Sequence, residues 1–269
     1  MKLAVNYSLE IERLVRDSMI EIDMFKCPDF SKELIYRAEQ LRPCYVHFGL
    51  NAGNCKLNKV DWEKIEALRK YTATPFVNVH AVAYVKDYPE VDIFTTNPSE
   101  INQIVQATLD DLGVVIDRFG AENIIIENVI CRGINENMLK PIIDPEILSK
   151  IVKETGCGLL LDTAHAQMTS KCLGLNVREY ISSLPLDRLK ELHITGVQPD
   201  QKGRLRDSMP MSEEDWELAK WVIQQIKTGY CQEPWITSLE YGGVGPKFEW
   251  RTDEEVLAKQ VPVLFDLIK

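Results

Sequence analysis

Eight short apolar runs, each followed by a stretch with helical spacing, recur along the chain, and this alternation limits what it can fold into. The runs cover residues 2–7, 21–24, 45–50, 75–82, 123–129, 158–162, 191–196 and 235–240. Helical spacing covers 9–19, 31–41, 62–71, 98–119, 216–227 and 253–267, and Asp144-Pro145-Glu146 opens a further helix at a proline-compatible first turn. Ser31 reads as an N-cap, and Ser212-Glu213-Glu214-Asp215 as a start resembling a capping box. Strand followed by helix requires a parallel sheet, because the chain must cross back before the next strand is laid down. Eight such units close most simply into an α/β fold, a (β/α)8 TIM barrel, read as a single domain over residues 1–269. A doubly wound sheet would bring a glycine-rich first turn, and Val5-Asn6-Tyr7-Ser8 has none.

Of the 269 residues, 45% are apolar and 27% charged, the balance of a globular protein with a large core. The net charge of −10 offers no basic stripe for a phosphate backbone, so nucleic acid is not an expected partner. No run reaches the roughly 20 apolar residues of a membrane span, and MKLAVNYSLE lacks the sections of a signal peptide. The expected location is therefore cytoplasmic. Seven cysteines without a C-x-x-C pair read as reduced thiols.

In a barrel the chemistry gathers at the C-terminal strand ends. These carry His47, His80, Glu127, Asp162 followed by His165, His193 and Glu240, so all four histidines of the chain fall there. Asp162 ends an apolar Gly-Leu-Leu-Leu run, where an ionised carboxylate needs a metal, a cation or solvent. Imidazole and carboxylate without thiolate suit Mn, Fe, Co or Zn, and seven donors exceed the need of one ion, so a multi-ion site is expected. Glu127, Glu240 and His165 are the expected catalytic groups. Asn128, Asp207 and Arg206 are further candidates for metal or substrate contact. Asp23 ends the second predicted strand and reads as either an exposed loop acid, the commoner case, or a group facing the same mouth, and Gly242, Gly243 and Gly245 read as either a turn or a phosphate-binding loop.

The series Ile126-Glu127-Asn128-Val129, the stretch 159–165 leading to Leu173-Gly174-Leu175, Ser183-Leu184-Pro185-Leu186-Asp187-Arg188, Glu191-Leu192-His193-Ile194-Thr195-Gly196 and Met211-Ser212-Glu213-Glu214-Asp215-Trp216 resembles a known superfamily. It is that of the xylose-isomerase-like TIM barrels, which includes ketose epimerases and the endonuclease IV type of nuclease. Within it the chain is most similar to the multinuclear non-heme iron-dependent oxidases of the methanobactin-biosynthesis type. The resemblance runs from about His80 to Glu240. It implies two or three irons on His47, His80, Glu127, Asp162, His165, His193 and Glu240, and an O2-dependent oxidation of a cysteine in a ribosomally made peptide. One departure stands out: the family's Asp-x-His after the seventh strand is here Asp207-Ser208-Met209, without the histidine.

The expectation is thus a metal-dependent enzyme, an iron oxidase acting on a small-molecule or peptide substrate. The alternative is a sugar or sugar-phosphate isomerase or epimerase with one divalent ion, whose carboxylates move a proton. An endonuclease IV-like phosphodiesterase is a further alternative, and a metal-dependent binding module is the non-enzymatic one.

Overall fold

The computed structural model describes residues 1–131, 138–200 and 202–269. Its first elements are β1 (Leu3–Asn6), α1 (Leu9–Arg16), β2 (Met24–Pro28), α2 (Lys32–Glu39), β3 (Cys44–His47), β4 (Leu50–Ala52), α3 (Trp62–Tyr71) and β5 (Val77–Ala81). There follow α4 (Pro98–Phe119), β6 (Ile124–Glu127), α5 (Lys140–Ile143), α6 (Pro145–Thr155), β7 (Gly158–Asp162), α7 (Thr163–Leu173) and α8 (Val177–Ser182). The last are β8 (Leu189–Ile194), β9 (Gly196–Pro199), β10 (Leu205–Met209), α9 (Glu213–Lys227), β11 (Ile236–Leu239) and α10 (Glu254–Ile268).

The chain forms two compact units. The first comprises Met1–Phe48, Trp62–Pro75 and Lys190–Lys269. Its parallel strands run in the order β3-β2-β1-β11-β8. Side chains alternate across a strand, so Ala4, Met24, Tyr45 and Ile236 meet in one buried cluster with Trp235 packed against it. The same faces, two residues further along, carry Lys26, His47 and Ser238. Helix starts follow the expected chemistry: the Ser31 hydroxyl accepts the Leu34 N–H, and Ser212 with Asp215 completes a capping box for α9.

The second unit comprises Gly49–Asp61 and Phe76–Leu189, with parallel strands in the order β7-β6-β5-β4. Asn97 and Pro98 start α4, Asp144 and Pro145 start α6, and Gly156 ends α6 in the left-handed conformation that glycine tolerates best. The strand β7 is buried throughout, as its leucine run requires.

Three expectations need correction. The second strand runs from Met24 to Pro28 and not over 21–24, because the Asp23 carboxylate accepts the Leu3 N–H at 2.7 Å. Asp23 is thereby fixed beside the start of β1, at the opposite strand end from the candidate site. The loop after the seventh strand is in part an antiparallel hairpin of β9 and β10, with Arg206 opposite Gln198. Finally, Cys131 and Cys172 are joined as a disulfide, whereas Cys27, Cys44, Cys55, Cys157 and Cys231 are free thiols. The Thr169 hydroxyl accepts the Cys131 N–H at 2.9 Å and donates to the Val129 carbonyl, which draws this segment onto α7 beside Cys172.

Candidate metal centre

In the second unit Glu127 ends β6 and lies in register with His80 on β5. Its carboxylate is 3.1 Å from His80 Nε2 through one oxygen and 3.3 Å from His165 Nδ1 through the other. His80 Nδ1 lies 3.1 Å from the Leu50 carbonyl, and His165 Nδ1 lies 2.8 Å from that of Asn128. Carbonyl oxygens only accept, so each Nδ1 carries the proton and each neutral ring keeps its lone pair on Nε2. The His80 lone pair then faces a carboxylate oxygen, an arrangement of two acceptors that calls for a proton or a metal ion. Burial works against a charge on His80, yet the Glu127 carboxylate outweighs it and raises the His80 pKa above its ordinary value.

Asp162 has two tasks. One oxygen caps α7 by accepting the His165 N–H at 2.8 Å, and the other lies 3.9 Å from His165 Nε2. Asn128, fully buried, clamps the Asp162 backbone: its side-chain N–H donates to the carbonyl at 3.0 Å and its side-chain oxygen accepts the N–H at 2.8 Å. Asn128 therefore holds both Asp162 and His165 in place.

In the first unit Glu191 and His193 stand two residues apart on β8 and share a face. His193 Nε2 is 2.7 Å from the Glu191 carboxylate, which also accepts the Tyr45 hydroxyl at 2.8 Å. The His47 ring, ending β3, is centred 5.4 Å from that of His193. His47, Glu191 and His193 each bring one ligand atom to within 4.8 Å of the others. Glu240 follows β11 and lies 3.2 Å from His193 Nδ1, while the Lys26 ammonium pairs with Glu240 and is 3.1 Å from His193 Nε2. A cavity of about 170 Å3 opens here, lined among others by Tyr7, Lys26, Phe30, His47, Glu240 and Phe248.

Of the expected donors, His80, Glu127, Asp162 and His165 belong to one unit and His47, His193 and Glu240 to the other. Lys26, Glu191 and Tyr45 were not foreseen, although the spacing of Glu191 from His193 is the period-two signal of a shared strand face. Arg206 is engaged elsewhere: with Arg204 it holds the Asp200 carboxylate. The N–H groups of Arg204 and Lys202 and both guanidiniums keep the Asp200 pKa well below the usual range despite the cost of removing it from water. Asp207 lies on β10, where its carbonyl accepts from Arg251 at 2.6 Å, and it joins no cluster of metal-ligating side chains among the described residues. The N–H groups of Gly243 and Gly245 are taken by Thr252 and Glu249, which favours the turn over a phosphate loop. The donors are imidazole nitrogens and carboxylate oxygens with no thiolate, which fits a divalent or trivalent first-row ion.

The alternation of parallel strand and helix, with polar groups at the strand ends, defines the α/β TIM-barrel class. The fold is similar to that of 3-keto-D-glucoside 4-epimerase from E. coli, with a TM-score of 0.60 at 13% identity over 98% of this chain and 99% of that one. It is also similar to a xylose isomerase-like TIM barrel/4-hydroxyphenylpyruvate dioxygenase fusion protein, with a TM-score of 0.59 at 14% identity over 99% of this chain and 42% of that one. At such identities the likeness is one of fold alone. The sequence profile of the family described as "RiPP precursor modification enzyme MbnB/TglH/ChrH" matches residues 50–234, and the chain belongs to that family. A UPF0276 protein of Caulobacter sp. (strain K31) is 30% identical over 87 residues, 31% of this chain and 32% of that protein. One from Bordetella pertussis is 35% identical over 86 residues, 30% of each chain. The chain thus matches about a third of the length of these curated relatives. Among the described residues no helix is long and apolar enough to cross a membrane.

Proposed function

We propose that the protein is an iron-dependent oxidase acting on a peptide or small-molecule substrate, with ions held by the strand-end donors of both units. The observation that carries this reading is the pair of histidines around Glu127, each with Nδ1 on a backbone carbonyl. That arrangement fixes the tautomer of a metal-ligating imidazole and raises its basicity. His80, Glu127, Asp162 and His165 would hold one ion, and His47, Glu191 and His193 another. When bound, iron supplies one-electron redox chemistry and activation of O2.

The protein's own groups set the conditions. Asn128 orients Asp162 and His165, Tyr45 fixes the Glu191 carboxylate by donating to it, and Glu191 and Glu240 flank the two nitrogens of His193. The cavity beside His47 is small for a free drug-sized ligand, for which about 300 Å3 or more is usual. Its Tyr7, Phe30 and Phe248 walls suit a single side chain or small group presented by a larger substrate, which supports the peptide reading.

Metal analysis of protein purified without added ions tests this function. Two or more irons per chain, with an absorbance that changes on admitting O2, are expected. One manganese or cobalt per chain and no response to O2 would turn the reading to a sugar epimerase.

A further inference from the structure

Lys26 is 5% exposed and sits in the middle of β2, between Phe25 and Cys27. A buried ammonium needs partners of opposite charge or good acceptors, since its desolvation is otherwise prohibitive. Its partners are the Glu240 carboxylate and the His193 ring, whose nitrogens lie 3.1 and 3.5 Å from Nζ. Glu240 and His193 are two donors that, by residue type and position, would otherwise bind a metal ion, and they stand 3.2 Å apart. An ammonium and a divalent ion on the same Glu240 carboxylate oxygen would be like charges in near contact in a buried place, so one excludes the other.

We propose that Lys26 is a built-in cation that takes the place of a metal ion at Glu240. This inference rests on the metal-holding role proposed above. It makes Glu240 the counter-ion of Lys26 and leaves ion binding in this unit to His47, Glu191 and His193. The ammonium brings one positive charge where an ion would bring two or three, and it offers N–H donors in place of open coordination positions. The corner of the cavity next to Glu240 therefore binds a substrate group by hydrogen bonding to Lys26 and not by ligation.

The test counts ions per chain after anaerobic dialysis against Fe2+, and separately against Co2+, whose visible absorption reports each new site. The wild type is compared with Lys26→Met, Glu240→Gln and the double variant, with folding checked by circular dichroism. Lys26→Met is expected to bind one more ion than the wild type, and the double variant to lose that gain. Glu240→Gln alone is expected to keep the wild-type count. The inference is overturned if Lys26→Met folds and gains nothing, or if Glu240→Gln alone loses an equivalent. Should Lys26→Met fail to fold, the Glu240→Gln count decides by itself. A wild type that binds no ion contradicts the proposed function, a separate result, and the gain or absence of an equivalent in Lys26→Met still judges the role of Lys26.

Discussion

His165 Nδ1 lies 2.8 Å from the backbone carbonyl of Asn128, and this bond ties the first turn of α7 to the residue that follows β6. The Asn128 side chain bonds the Asp162 backbone on both its N–H and its carbonyl. Asn128→Ala therefore leaves two buried backbone groups of Asp162 without those partners, at an expected cost of about 2–3 kcal/mol in urea unfolding of the metal-free protein. Metal affinity should fall about 10- to 100-fold, as when a group supporting the ligands is lost. Unchanged affinity in titration with Fe2+ or Co2+ would show that Asn128 does not position the ligands.

Stability should respond to acid through Glu12. This buried carboxylate accepts from Tyr7, Arg16 and Arg37, the last at 2.9 Å. Burial raises its pKa, but the bonds from Arg37, Tyr7 and Arg16 outweigh that and hold it below its ordinary value. The unfolded chain therefore takes up the proton first, so the stabilisation is complete above the ordinary carboxylate pKa of about 4.3 and is lost as pH falls through the lower folded-state value. Glu12→Gln should cost about 2 kcal/mol at pH 7 and progressively less towards pH 3. A variant whose deficit stays constant over that range would contradict this account.

The cysteines give a chemical count. Alkylation of the denatured, unreduced protein should modify five thiols by intact mass, and prior reduction should raise this to seven. In the native protein Cys55, the exposed one, should react first, because Cys27, Cys44, Cys157 and Cys231 are buried and burial pushes the Cys231 thiol up to about 11. Seven thiols without reduction would disprove the Cys131–Cys172 bond.

Much of the scaffold was legible because its signals are local. Gly158–Asp162 reads correctly because a leucine run must be buried and the acid that ends it doubles as the N-cap of α7. Ser31, Asp144 and Ser212 mark helix starts through side-chain hydrogen bonds of short range. Lys26 was not legible, since a lysine inside Met-Phe-Lys-Cys-Pro has no local partner and its counter-charge comes from Glu240, which follows β11 far along the chain. The alternation of Glu21, Ile22, Asp23 and Met24 then looks the better strand, and it is overruled by the Leu3–Asp23 hydrogen bond. The hairpin of β9 and β10 was missed because Gly196-Val197-Gln198-Pro199 and Leu205-Arg206-Asp207-Ser208-Met209 are half polar and carry no apolar alternation.

The account stands on the strand-end donors holding metal, and His193 lies beside both Glu191 and Glu240 in its unit. Metal analysis of His193→Ala beside the wild type, both purified without added ions and shown to be folded, tests this most directly. The variant is expected to lose at least one metal equivalent per chain. Full retention of the wild-type metal content would contradict the assignment of the strand ends as the metal centre.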